Sequence, residues 1–104
     1  MSAQKIARLI ASVGAVYCCR AADGTAKIGW AFDVESRIRR LQIGNPRRLS
    51  LVAFLPGTRT LESDLHKLFS DRRLHGEWFD DRDGEITDCL AELQHRSMAG
   101  EFYR

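Results

Sequence analysis

Two short runs rich in β-forming residues, Ala15 to Arg20 and Ala26 to Ala31, stand on either side of Ala22-Asp23-Gly24. An Asp-Gly step favours a tight reversal, because glycine takes positive φ at no steric cost and aspartate hydrogen-bonds back to its own backbone. The arrangement predicts a β-hairpin, and the stretches around it read as helices and one further strand.

Ahead of the hairpin, Ser2 suits a helix N-cap, Ile6, Leu9, Ile10 and Val13 recur at helical spacing, and Gly14 stands where such a helix ends. Beyond it, Asp33 can cap a second helix whose buried stripe is Val34, Ile38 and Leu41 and whose stop is Gly44-Asn45-Pro46. Leu49 to Leu55 is apolar at nearly every residue, which predicts a strand in the middle of the sheet, and Pro56-Gly57 ends it. Thr60 is the expected cap of a third helix bearing Leu61, Leu65, Leu68 and Phe69, and Asp83 that of a fourth bearing Ile86, Cys89, Leu90 and Leu93. The expected order is α-β-β-α-β-α-α. With 104 residues, 44% of them hydrophobic, the chain has material for one ordinary core, and residues 1–104 are expected to form a single α/β domain of the α+β kind.

Sixteen Lys and Arg against 14 Asp and Glu give a formal charge of +2, which permits nucleic-acid binding without demanding it. The distribution says more: Arg37, Arg39, Arg40, Arg47 and Arg48 crowd one stretch, and acids gather at Asp80, Asp81, Asp83 and Glu85. Cys18, Cys19 and Cys89 lack the spacing of a zinc site or a disulfide scaffold and read as reduced, intracellular thiols. No apolar run approaches the roughly 20 residues that span a bilayer. The expected setting is the cytoplasm of a bacterium or a phage-infected host cell, with no membrane partner.

Several side chains sit where chemistry is possible. At 100° per residue Arg37 lies about 60° from Val34 and about 40° from Leu41, at the border of the buried stripe. There it can present a guanidinium fork to a phosphate, or snorkel or pair as an ordinary border arginine. Glu62 and His66, at i and i+4, share one helix face; the carboxylate can hold Mg²⁺, or the two can simply hydrogen-bond. Tyr17 lies on the opposite sheet face from Val16 and Cys18; it is either a strand-favouring aromatic or a phenol relaying a proton, with Lys27 of the paired strand as helper. Arg39, Arg40, Arg47 and Arg48 are candidate contacts to a nucleic-acid backbone. Trp78 is expected to pack against the third helix, with Phe79 completing the core.

Taken together, Val16-Tyr17, Lys27-Ile28-Gly29, Arg37 eight residues past Gly29, Leu61-Glu62, Leu65-His66 and Gly76-Glu77-Trp78-Phe79 resemble the GIY-YIG nuclease superfamily. Leu41-Gln42-Ile43-Gly44-Asn45-Pro46 extends the likeness to the small branch found in phage and bacterial proteins. The resemblance covers Gly14 to Phe79. It implies a three-stranded antiparallel sheet flanked by helices, and hydrolysis of a phosphodiester with Tyr17 as base, Arg37 on the phosphate and Glu62 holding one Mg²⁺ or Mn²⁺. Three departures stand out: Ala15-Val16-Tyr17 replaces Gly-Ile-Tyr, Lys27 occupies the place of the second tyrosine, and the C-terminal asparagine of the classical nucleases is not found.

The expected function is therefore a metal-dependent endonuclease acting on nucleic acid, DNA foremost, with Tyr17, Lys27, Arg37 and His66 at the chemistry. The alternative is a catalytically inactive protein of the same fold that binds DNA or a protein partner as a phage or mobile-element accessory factor.

Overall fold

The computed structural model describes residues 2–5 and 13–101. Strands β1 (Ala15–Ala21) and β2 (Thr25–Ala31) form the expected hairpin, followed by helix α1 (Val34–Ile43), strand β3 (Leu49–Pro56) and helix α2 (Arg59–Leu68). A 3₁₀ turn (Ser70–Arg72), two short strands, β4 (Arg73–His75) and β5 (Trp78–Asp80), and helix α3 (Glu85–Met98) complete the described elements. The α+β class is as expected, but the sheet has five antiparallel strands in the order β3-β1-β2-β5-β4, where three were expected. The two added strands are three residues each, too short to carry a period-2 signal.

Of the first expected helix, Ile6, Leu9 and Ile10 lie outside the described residues. Ser2 does act as a cap, its Oγ accepting from Lys5 N at 3.2 Å, whereas Val13 is exposed instead of buried. At the β1–β2 reversal Gly24 has φ +87°, and Asp23 accepts from both the backbone N–H and the hydroxyl of Thr25.

β1 is buried along nearly its whole length, and its two faces feed two cores. Val16 and Cys18 join Ile28, Leu55 and Phe79 beneath Leu65 and Phe69 of α2 and Ile86 and Leu90 of α3. Tyr17 and Cys19 join Ala31, Val34 and Leu49 beneath α1. Burial pushes the Cys18 thiol up to about 12 and the Cys19 thiol to about 11, so neither is a ready nucleophile.

Among the described residues β3 proves to be an edge strand, paired only with β1. Its continuous apolar run reports two covered faces, not two neighbouring strands. Its outer backbone is partly closed by side chains: Phe54 N donates to Gln94 Oε1 at 3.0 Å and Leu49 N to Gln42 Oε1 at 2.7 Å.

The helix starts follow local hydrogen bonding. Asp33 caps α1 as expected, accepting from Ser36 N at 3.0 Å. The cap of α2 is Thr58, and Thr60 lies inside the helix. At α3 Asp83 accepts from Glu85 N, but the buried cap is Asp81, whose carboxylate takes Ile86 N at 2.8 Å and the Thr87 hydroxyl at 2.5 Å. Sequence spacing missed it because Asp81 reaches across the turn from beyond the usual N-cap position.

Candidate functional site

β5 pairs with β2 only from Thr25 to Lys27, so the outer edge of β2 is released midway along the strand. Ile28 N still donates to Glu77 O at 3.1 Å, and the Ile28 carbonyl accepts from His66 Nε2 at 2.8 Å. A carbonyl can only accept, so Nε2 must carry the proton in the neutral ring, and Nδ1 is left as the acceptor. The imidazole also packs edge-to-face on Phe79, ring centroids 5.1 Å apart. Glu62 stands one turn earlier on the same helix and lines, with His66, Ser63, Lys67, Ser70, Arg73 and Glu77, an open cleft of about 510 Å³ between α2 and the β4–β5 turn. Among the described residues the Glu62 carboxylate closes no ion pair and no side-chain hydrogen bond. Burial and the negative charge of Glu77 raise its pKa, against the pull of His66, Arg59 and Lys27.

The other sheet face carries the remaining candidates. Tyr17 is fully buried opposite Gly29, and among the described residues its hydroxyl finds no hydrogen-bond partner. Burial first, then the charges of Glu77 and Cys19, push the phenol well above its ordinary pKa; Arg37 of α1 is close enough to oppose the rise. No hydrogen bond of good geometry closes between the two. Lys27 pairs with Glu77 at 2.7 Å, its side chain only 13% exposed and its Nζ 5.7 Å from the Trp78 ring centroid.

The five central candidates thus divide across the sheet, with Tyr17, Lys27 and Arg37 on the α1 side and Glu62 and His66 on the α2 side. Across the sheet Lys27 acts on the Glu62 carboxylate, whereas among the described residues no contact joins Arg37 to Glu62 or His66, so the five do not converge on one surface. Glu77 joins the halves, because its charge acts on both Tyr17 and Glu62 while its carboxylate binds Lys27. Sequence reasoning gave Glu77 no role: its position depends on the β4–β5 turn, which no periodicity announced. Arg73, on β4, escaped for the same reason; Lys67 follows His66 on α2 and lines the same cleft.

The expected placement of Trp78 against the third helix is corrected. Phe79 is fully buried in the α2–α3 core, so its neighbour Trp78 must face the other way, half-buried on the Tyr17 side. The arginine-rich stretch is less available than its composition suggested. Arg39 pairs with Glu35 at 3.3 Å and Arg47 with Asp23, whereas Arg40 and Arg48 are exposed. Arg48 borders a second cleft with Arg20, Ala22 and Ser50 at the hairpin end of the sheet. The acids of residues 80–85 are likewise engaged locally, Asp80 with Arg82 and Asp83 and Glu85 with Arg72.

Gly29 is where the sequence leaves least choice. A Cβ there would lie 2.4 Å from the Tyr17 hydroxyl, well inside contact distance, so Gly29→Ala must displace the phenol or bend β2. We expect a loss of about 1–3 kcal/mol in denaturant melts of Gly29→Ala, as overpacking in a tight core costs. In a double-mutant cycle, Gly29→Ala should cost little in a Tyr17→Ala background, where the ring it collides with is gone; a Gly29→Ala variant as stable as wild type would refute the cause.

Residues 14–94 match the T5orf172 domain, a phage-associated domain related to nuclease-type domains. No curated protein and no solved structure matches the chain. Among the described residues no helix is long and apolar enough to cross a membrane.

Proposed function

The chain belongs to the T5orf172 domain family, and we propose from this that it is a GIY-YIG-type, divalent-metal-dependent endonuclease that hydrolyses nucleic-acid phosphodiesters, DNA foremost. The observation that carries the reading is Glu62: a partly buried carboxylate without an ion-pair partner, facing a cleft that also holds His66, Lys67, Arg73 and Glu77.

A hydrated Mg²⁺ or Mn²⁺ suits this place. Such ions take oxygen ligands, often only one or two protein carboxylates, and fill the rest of their shell with water and substrate phosphate. Among the described residues no three potential His, Cys, Asp or Glu ligands cluster. Glu62 is accordingly the residue that would hold the ion; Glu77 stands in the same cleft but is paired with Lys27. Once bound, the ion would supply Lewis-acid polarisation of the phosphoryl group. His66 is not offered as a ligand through Nε2, because that N–H already serves Ile28.

The protein groups then divide the remaining work. Arg37 sets a guanidinium fork on the phosphate, where developing charge is greatest. Lys27 is neutralised by Glu77 in the free protein, and an arriving phosphate competes with Glu77 for it. Burial, and after it the charge of Glu77, make Tyr17 hold its proton firmly in the free protein; it can relay one only when cationic charge near it outweighs both. His66, held in the tautomer that leaves Nδ1 as an acceptor, is the second group able to take a proton from the attacking water.

The burial of Tyr17 and the Lys27–Glu77 pair favour a second reading, a non-catalytic fold that binds DNA or a protein partner as a phage or mobile-element accessory factor. Incubating the protein with supercoiled plasmid separates the two. We expect nicking with Mg²⁺ or Mn²⁺, none with chelator, and none by Glu62→Ala at equal DNA occupancy. Bound but intact plasmid under every metal condition decides for the binding protein.

A further inference from the structure

Past Gly29 the β2 strand carries a group of side chains that the cleavage site does not use. Trp30 is fixed by its indole N–H, which donates to Gly57 O at 2.9 Å. On one side of that ring lies the Arg59 guanidinium, its carbon 4.5 Å from the ring centroid. Phe32 meets the same indole edge-on, centroids 4.6 Å apart and planes at 70°, and is 58% exposed. An aromatic ring left this open on a strand end, braced by a buttressed indole, contributes little to either core.

Among the described residues Arg59 closes no ion pair, and it stands three residues before Glu62 on α2. One helical turn from Glu62, and stacked on Trp30, Arg59 places the aromatic group beside the cleft that Glu62 lines. A flat apolar ring next to a guanidinium that closes no ion pair matches a ligand that is itself a flat ring joined to an anion: a nucleotide, base on the aromatic face and phosphate on the cation. In a duplex the face of every internal base is already covered by its neighbours, so a protein ring reaches one only where the strand is single, frayed or looped out.

We propose that Phe32, braced by Trp30 and accompanied by Arg59, is a stacking platform for one unpaired base beside the scissile phosphate, so that the preferred substrate is a single-stranded or locally unpaired nucleic acid. This rests on the nuclease reading above and adds the substrate class to it.

Anisotropy titrations in chelator, where nothing is cut, test the platform apart from the chemistry. The probes are fluorescein-labelled oligothymidylate and a labelled duplex of the same length. Phe32→Ala is expected to weaken oligothymidylate binding about ten- to a hundredfold and leave duplex binding unchanged, as loss of one base–aromatic stack does. Phe32→Tyr should keep wild-type affinity and Phe32→Leu should not, since leucine retains apolar area without a π face. Because Phe32 is exposed, thermal melts of all three variants should overlay wild type. Unchanged oligothymidylate affinity in Phe32→Ala, or an equal loss on both probes, overturns the proposal. So does a Phe32→Ala variant that loses only self-association in sedimentation, which would make the ring a protein contact. Failure here with Glu62-dependent nicking intact removes the platform alone; plasmid nicking that is indifferent to Glu62→Ala removes the nuclease reading.

Discussion

Arg37→Ala is expected to slow phosphodiester cleavage by a hundredfold or more while leaving DNA affinity within a few fold of wild type. The asymmetry follows from where the guanidinium acts. A donor aimed at charge that develops in the transition state contributes on the order of a hundredfold or more to rate, whereas one phosphate contact among several contributes little to affinity. Arg37 is half-buried on α1 and stands near the Tyr17 phenol, so its orientation is constrained. Arg37→Lys keeps the charge but not the planar fork and should recover only part of the rate. Single-turnover cleavage at saturating protein, set beside thermal melts, measures this directly. Wild-type turnover by Arg37→Ala would remove the arginine from the mechanism. Tyr17→Phe, measured in the same assay, removes only a hydroxyl that has no hydrogen-bond partner in the free protein. A wild-type rate there passes the proton-transfer role to His66 or to metal-bound water.

The second large effect concerns folding. Asp81→Ala should destabilise the protein by about 3–5 kcal/mol, a large share of the roughly 5–15 kcal/mol that holds a domain of this size together. Its fully buried carboxylate takes Ile86 N, Thr87 N at 3.3 Å and the Thr87 hydroxyl, and lies 3.9 Å from Arg20 Nε. Arg20 also donates to the Asp81 backbone carbonyl at 2.8 Å, so the guanidinium is held beside the carboxylate and loses its counter-ion with it. Truncation leaves the first turn of α3 with buried donors and no acceptor, which costs more than the hydrogen bonds were worth. Asp81→Asn retains an acceptor and should lose less. Urea melts with an unchanged m-value would quantify both, and a loss below about 1 kcal/mol for Asp81→Ala would show that water replaces the cap.

Much of this was legible in the residues. Asp23-Gly24 specified the hairpin and Asp33 a helix start, because both act through bonds to their own neighbours. The stripes of α1, α2 and α3 were visible because burial repeats with the helical turn, except that Leu68, expected in the α2 stripe, is exposed because its position on the helix turns it away from the sheet. Features that depend on distant segments were not visible. Nothing local in Leu49 to Pro56 distinguishes an edge strand covered on both faces from a central one. Arg73–His75 and Trp78–Asp80 pair through too few residues to register as strands, and with them went the positions of Glu77 and Trp78. At the candidate site, Glu62 and His66 could be placed on one face by their spacing, but the partition of Tyr17 and Arg37 to the opposite face required the sheet. The burial of Tyr17 was hidden too, since a strand residue's exposure is set by whatever helix lies over it. Arg47 looked free only because Asp23 is 24 residues away in the chain.

The two glutamines on the outer side of β3 have a consequence for how this protein behaves in a crowded cell. An apolar edge strand with open N–H groups is a template on which another copy can add its own strand, the first step towards fibrils. Gln94, anchored in α3, and Gln42, anchored in α1, occupy the Phe54 and Leu49 donors and end the sheet there. A second copy must displace these two uncharged side chains before it can pair with those donors, a barrier that a count of surface ions would pass over.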